Sequence, residues 1–232
     1  MPDVAVLRKF LPPDLTTALV SCVEASYAEV DRLRSVGNQH RDFNVTESWD
    51  GLAMAHIKQH LRKLDTSAID KTGIFIESKF PGMRIRDPLS VFRRHRPQTW
   101  ENSLIRWHTD ADGTNSRQYD PVFNLWIPLC PVGRISPSLE LIEGSSKYVR
   151  SIPPRNPSSC EFSPEEIAEH LPTNIRVCPE LDLGDAIIFS HMVIHRTEPV
   201  PHPHPVRIGS EFRFSWEGDG SLTDRDDVGF AG

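Results

Sequence analysis

The sequence has no long apolar run: stretches such as Val4 to Leu7 and Ala186 to Phe189 stop at four residues, far short of the ~20 that a bilayer span requires. A transmembrane helix is therefore not expected. Basic charge is in deficit, with 26 Lys and Arg against 32 Asp and Glu, a net charge of −6. Such a balance repels polyanions, so nucleic acid is not the expected partner. Met1-Pro2-Asp3 lacks the basic segment and apolar stretch of a secretory signal, which points to a cytoplasmic address. The four cysteines, at 22, 130, 160 and 178, contain no Cys-x-x-Cys pair and read as buried small apolar residues, not as a zinc cage or a disulfide framework. No fixed-period repeat, low-complexity segment or linker breaks the chain, so 1–232 is expected to be one domain. A chain of 232 residues hides roughly 70% of its unfolded surface on folding. Any metal it carries is there for chemistry, not for support.

The N-terminal part carries helical signals. Pro12-Pro13-Asp14 precedes Leu15, Leu19, Val23 and Val30, and Arg32 and Arg34 lie just before Gly37, predicting an amphipathic helix over about 14 to 36. Leu52, Ala53, Ile57, Leu61 and Leu64 form one stripe of a second helix, about 50 to 64. From Gly73 onward the pattern turns to short apolar or alternating runs punctuated by Pro, Gly, Asp and Ser. These predict strands over 74–80, 89–95, 104–108, 122–129, 139–143, 175–178, 186–190 and 208–216, hence a sandwich or barrel. The expected organisation is a helical support, 1–72, and a strand core, 73–216. Within that core, 151–172 reads as an insertion or lid carrying a short helix, because Ser163-Pro164-Glu165-Glu166 is a capping box with proline at the first helical position.

Trp107-His108-Thr109-Asp110 falls at a predicted strand end. Side chains alternate along a strand, so His108 and Asp110 share a face and can grip one ion. His195, just beyond the buried run Ala186 to Phe189, is the candidate third ligand. Two imidazoles and one carboxylate leave coordination positions open, an arrangement suited to non-haem Fe(II) and oxygen chemistry.

In ordered motifs the chain resembles the phytanoyl-CoA dioxygenase family of Fe(II)/2-oxoglutarate oxygenases. The motifs are Trp107-His108-Thr109-Asp110, Asn124 to Leu129, Leu139 to Lys147, Leu183-Gly184-Asp185 through His195-Arg196-Thr197, and Arg207. The resemblance implies a mainly β architecture with flanking helices, built on a double-stranded β-helix (jelly-roll, cupin-like) core. It implies Fe(II) held by His108, Asp110 and His195, with 2-oxoglutarate and O2 as cosubstrates. Arg207 is implied to pair with the distal carboxylate of 2-oxoglutarate, a task that suits a planar guanidinium fork. Thr197 matches a hydroxyl on the same carboxylate, and Trp126 an aromatic beside the cosubstrate. Asn124, two before Trp126 and so on its face, is a further cosubstrate contact. The implied reaction oxidises an unactivated C–H bond of a small molecule, releasing succinate and CO2. Asp110 stands where related halogenases keep a small residue for the halide, which favours hydroxylation or another oxidation over halogenation. Gly144-Ser145-Ser146 departs from the family's usual Gly-Ser-His in a loop, which bears on substrate identity.

Several features keep two readings. Trp126 is a cosubstrate neighbour or a core aromatic. In Phe92-Arg93-Arg94-His95-Arg96, the one dense basic stretch, an arginine attracts an anion or the whole stretch is a solvated face. Arg213 shares the face of Arg207 and serves the pocket or a rim salt bridge. Asp112, Arg117 and Tyr119 line the substrate side or simply make a polar loop. His191 and His195 have the i, i+4 spacing of a helical zinc protease, but the glutamate is missing and the flanks read as strand. Pro201-His202-Pro203-His204-Pro205 reads as a solvated loop. Beside the oxygenase stand two alternatives, a non-catalytic jelly-roll binding or regulatory protein and a metal-dependent hydrolase on the same scaffold.

Overall fold

The computed structural model of the chain describes residues 3–35, 48–49, 67–85, 91–96, 106–110, 123–152, 161–200 and 205–216. Its strands are β1 (Val4–Leu7), β2 (Ser48–Trp49), β3 (Met83–Ile85), β4 (Val91–His95), β5 (Phe123–Pro128), β6 (Leu139–Ile142), β7 (Arg176–Val177), β8 (Ala186–Ser190), β9 (His195–Thr197) and β10 (Arg207–Trp216). Its helices are α1 (Pro13–Ser35), α2 (Ser67–Lys79), α3 (Ser145–Ser151) and α4 (Pro164–His170). The larger sheet runs β1-β8-β5-β10-β4-β2, with β3 also on β10; the smaller runs β7-β6-β9. Their strand pairs are antiparallel, and the architecture is the expected mainly β jelly roll with flanking helices. No helix among the described residues is long and apolar enough to cross a membrane.

The larger sheet is covered on both faces, which explains why β8 and nearly all of β5 are buried residue after residue. Leu125, Ile127, Ile188, Ile208 and Phe212 pack with Leu19, Val23, Ile69 and Ile76 of the helices. From the opposite face Trp126, Ile187 and Phe189 pack with Leu139 and Leu141 of the smaller sheet. The period of two thus sends alternate residues of one strand into two different cores.

Helix α1 begins where expected, at Pro13, and buries Leu19, Val23 and Tyr27 on one stripe. The strand expected over 74–80 is instead part of α2. Gly73-Ile74-Phe75-Ile76 is locally β-like, yet the buried positions are Ala68, Ile69, Thr72 and Ile76, and Ile74 is 69% exposed. That spacing belongs to a helix packed on α1, and tertiary burial overrides β propensity. The helical part therefore runs to Lys79, beyond the expected limit at 72. The helix expected over about 50 to 64 lies outside the described residues. In the insertion, Ser163 and Glu166 form the reciprocal capping box, while residues 153–160 are not described.

The first strand was legible only as an apolar run, and its partner is distant: Val4 pairs with Phe189 and Leu7 with Ala186. Asp185 clamps it there. Its buried carboxylate accepts from the Lys9 backbone N–H at 2.8 Å, from Arg8 Nη1 at 2.7 Å and from the Asp182 N–H at 3.1 Å. Burial alone would raise its pKa, but the Lys9 N–H and the Arg8 charge hold it below the usual value. The neighbouring Gly184 has φ of 91° and its carbonyl accepts from the Leu11 N–H; a left-handed residue here favours glycine.

Candidate metal centre

His108 and His195 are directly opposed in an antiparallel bridge. The N–H of each donates to the carbonyl of the other at 2.9 Å, which brings side chains 87 positions apart in sequence face to face, their ring centroids 4.2 Å apart. Each ring is turned the same way. His108 Nδ1 donates to the Arg106 carbonyl at 2.8 Å and His195 Nδ1 to the Val193 carbonyl at 2.9 Å. A carbonyl only accepts, so the proton sits on Nδ1 and the lone pair of each ring on Nε2. Both lone pairs lie near Asp110: His108 Nε2 is 3.9 Å from Oδ1 and His195 Nε2 is 3.5 Å from Oδ2. Taken together, the three ligand atoms lie within 4.8 Å of one another. They are too far apart to hydrogen-bond and close enough to share one ion.

The electrostatics suit a cation. Burial, reinforced by the neighbouring His195, pushes the pKa of His108 down to about 3, so its imidazole is neutral at physiological pH and free to ligate. Burial would raise the Asp110 carboxyl, but the Arg213 guanidinium beside it outweighs this and holds the group ionised, below the ordinary carboxylate range. Arg213 donates to Asp110 Oδ1 at 2.6 Å and, through Nε, to Glu211 at 2.7 Å. Asn124 donates to Asp110 Oδ2 at 2.5 Å. The Asp110 backbone N–H is tied to the His191 carbonyl at 3.0 Å.

A cavity beside the centre is lined by His108, His195, Trp126, Thr197, Arg207 and Arg93, among others. Arg207 is 3% exposed, and its Nε has no hydrogen-bond partner. Its guanidinium lies 4.9 Å from the Trp126 ring centroid, a cation–π contact. Burial lowers its pKa to about 10, which still leaves it charged at neutral pH. The hydroxyl of Thr197 is likewise buried without a partner.

Of the residues singled out from sequence, His108, His195, Arg207, Thr197 and Trp126 thus meet at one cavity, with Asp110 completing the triad. Asn124 donates its amide N–H to the candidate ligand Asp110, and its Oδ1 is buried without a hydrogen-bond partner. Arg213 makes its salt bridge with that same ligand rather than at the rim; the period of two from Arg207 was the signal for it. The basic stretch divides by alternation. Arg93 and His95 line the cavity, whereas Arg94 makes a two-pronged pair with Asp31 of α1 at 3.0 and 2.8 Å and Arg96 joins the same carboxylate. Gly209 escaped sequence reading, although a glycine inside a strand signals a close approach. A Cβ there would meet Trp126 Nε1 at 2.9 Å. Residues 191–194 form a turn, so His191 and His195 are not one turn apart on a helix. Asp112, Arg117, Tyr119, His202 and His204 lie outside the described residues.

The sequence profile of the phytanoyl-CoA dioxygenase (PhyH) family matches residues 6–205. No curated protein sequence matches the chain. Among solved structures, AviO1 from Streptomyces viridochromogenes Tue57 is similar with a TM-score of 0.60 and 15% identity, over 94% of this chain and 91% of that one. The epimerase SnoN from nogalamycin biosynthesis, in complex with Fe3+, alpha ketoglutarate and nogalamycin RO, has a TM-score of 0.55 and 14% identity over 99% and 88%. HygX from Streptomyces hygroscopicus, with nickel and 2-oxoglutarate bound, has a TM-score of 0.55 and 12% identity over 93% and 83%.

Proposed function

This chain belongs to the phytanoyl-CoA dioxygenase family and is an enzyme of the iron- and 2-oxoglutarate-dependent oxygenase type; from that premise we propose that it hydroxylates an unactivated C–H bond of a small molecule in the cytoplasm. The carrying observation is the meeting of His108, Asp110 and His195, whose two histidines line a cavity that also holds the unpartnered guanidinium Nε of Arg207. Two imidazole Nε2 atoms and one carboxylate fit a ferrous ion and leave positions for other ligands. The bound iron would supply the oxidising chemistry, coupling decarboxylation of 2-oxoglutarate to substrate oxidation.

The protein's own groups have four tasks in this reading. His108, Asp110 and His195 hold the metal. Arg207 and Thr197, both with buried unsatisfied atoms, bind the distal carboxylate of the cosubstrate through charge-assisted hydrogen bonds. Trp126 forms the wall beside it. Asn124 and Arg213 act through Asp110 as positioning residues, since each holds one of its oxygens.

The test is turnover by purified protein with Fe(II), 2-oxoglutarate and O2. Succinate release and O2 consumption are expected, slow without substrate, and Asp110→Ala and Arg207→Ala each abolish both. With a substrate found by screening metabolites for faster succinate release, the product gains one oxygen atom. A product of unchanged mass with an inverted centre replaces hydroxylation by epimerisation. Undiminished turnover in Arg207→Ala removes the cosubstrate assignment, and no iron-dependent turnover with any candidate favours a binding protein.

A further inference from the structure

Two arginines line the cavity, and the dicarboxylate assigned to it accounts for one. Arg93 stands on β4 opposite Gly209, two positions along from the pair His95 and Arg207. It therefore sits between Arg207 and the row of Glu211 and Arg213 that leads to Asp110. Its Nε is buried without a hydrogen-bond partner. The neighbouring carboxylates are already engaged: Glu211 by Arg213 Nε, Asp110 by Arg213 and Asn124, and Asp31 by Arg94 and Arg96. Gly209 contributes no side chain, so nothing from β10 covers Arg93 at its own level.

Of the two guanidiniums that line the cavity, that of Arg207 is assigned to the cosubstrate, and the Nε of Arg93 is left without a hydrogen-bond partner. An unpaired charge held in a cavity is costly, and an oxyanion in two-pronged contact with it removes the cost.

We propose that Arg93 anchors an anionic group of the substrate, a carboxylate or a phosphate, beside the metal centre. This rests on the reading of the preceding subsection and narrows its substrate class to anions. Arg93 would then be a specificity-determining residue that holds one end of the substrate while the reacting carbon faces the metal.

The experiment uses protein loaded with Ni(II) and 2-oxoglutarate, titrated calorimetrically with butyrate, monobutyl phosphate, butanol and butylamine. Saturable binding is expected for one or both anions, at least tenfold tighter than for the alcohol or the amine; the anion that binds identifies the group. Arg93→Gln weakens anion binding at least tenfold while 2-oxoglutarate affinity stays within twofold of wild type, and Arg93→Lys restores part of the loss. Equal binding of all four probes overturns the proposal. So does a tenfold loss of 2-oxoglutarate affinity in both Arg93 variants with probe binding unchanged, which makes Arg93 a cosubstrate ligand. Wild-type protein that takes up neither Ni(II) nor 2-oxoglutarate refutes the parent reading instead, a result distinct from both.

Discussion

Replacing Gly209 by alanine puts a methyl group against the edge of Trp126. The added Cβ would stand 2.9 Å from Nε1 and 3.0 Å from Cε2 and Cζ2, about 0.5 Å inside ordinary van der Waals contact. The indole has little room to retreat. It is 4% exposed and packed between the sheets with Leu139, Ile187 and Phe189, while the Arg207 guanidinium lies 4.9 Å from its ring centroid. Overpacking of a filled core costs about 1–3 kcal/mol. At about 2–4 °C per kcal/mol for a chain of this size, the melting temperature falls by about 2–12 °C. A ring pushed toward Arg207 also narrows the place proposed for the cosubstrate, and a loss of about 1.4 kcal/mol there weakens 2-oxoglutarate binding about tenfold. Thermal melts and calorimetric titration with 2-oxoglutarate measure both effects. A double-mutant cycle with Trp126→Phe isolates the contact, because the smaller ring lacks Nε1. In that background Gly209→Ala should cost less than half as much. Wild-type melting and affinity in Gly209→Ala, or the same penalty in both backgrounds, would refute the reasoning.

Asp185→Asn should destabilise the protein by about 1–3 kcal/mol at pH 7, because a charged acceptor of three hydrogen bonds becomes a neutral amide. The folded pKa of Asp185 lies below its unfolded value, so its contribution is complete above the unfolded pKa and disappears as pH falls through the folded one. Urea melts at pH 7 and pH 3 should therefore show wild type and variant converging in acid; a constant gap would contradict the clamp. Asn124→Ala frees one oxygen of Asp110 from its amide and should weaken metal binding about 10- to 100-fold, read by competition with a chelating dye, with the melting temperature of the metal-free protein as control. Adding Ni(II) at about 100 times its dissociation constant should stabilise the fold by about 2.7 kcal/mol, visible as a higher melting temperature that EDTA reverses and that Asp110→Ala lacks. Ser163→Ala removes the side-chain half of the capping box and should loosen the helix Pro164–His170 by about 1 kcal/mol, detected as faster limited proteolysis within 153–170 without a change in 2-oxoglutarate affinity.

Much of the candidate site was legible because its signals are short-range. His108 and Asp110 share a face through strand alternation, and the same rule put Arg213 on the face of Arg207 and Asn124 on that of Trp126. The capping box at Ser163 was equally local, since both partners lie within one turn. Reading failed where the deciding contact came from elsewhere in the chain. Ile74 to Ile76 carries β-like residues, and only the apolar side of α1 makes a helix the better burial. The contact of the Asn124 amide with Asp110 was equally invisible in the sequence, because Asp110 is placed by its backbone hydrogen bond to the distant His191 carbonyl.

What the sequence by itself determined is which side chains travel together: the alternating faces of each strand, the helix starts, and the ordered motifs that carry the family resemblance. The tertiary structure decided which of those faces meet. Two mutual backbone hydrogen bonds set His108 against His195, and the β4–β10 register set Arg93 beside Gly209 and His95 beside Arg207. The physical reason is range. Backbone periodicity acts over two to four residues, whereas register between distant strands is chosen by burying both faces of the larger sheet at once, a condition that no segment meets alone.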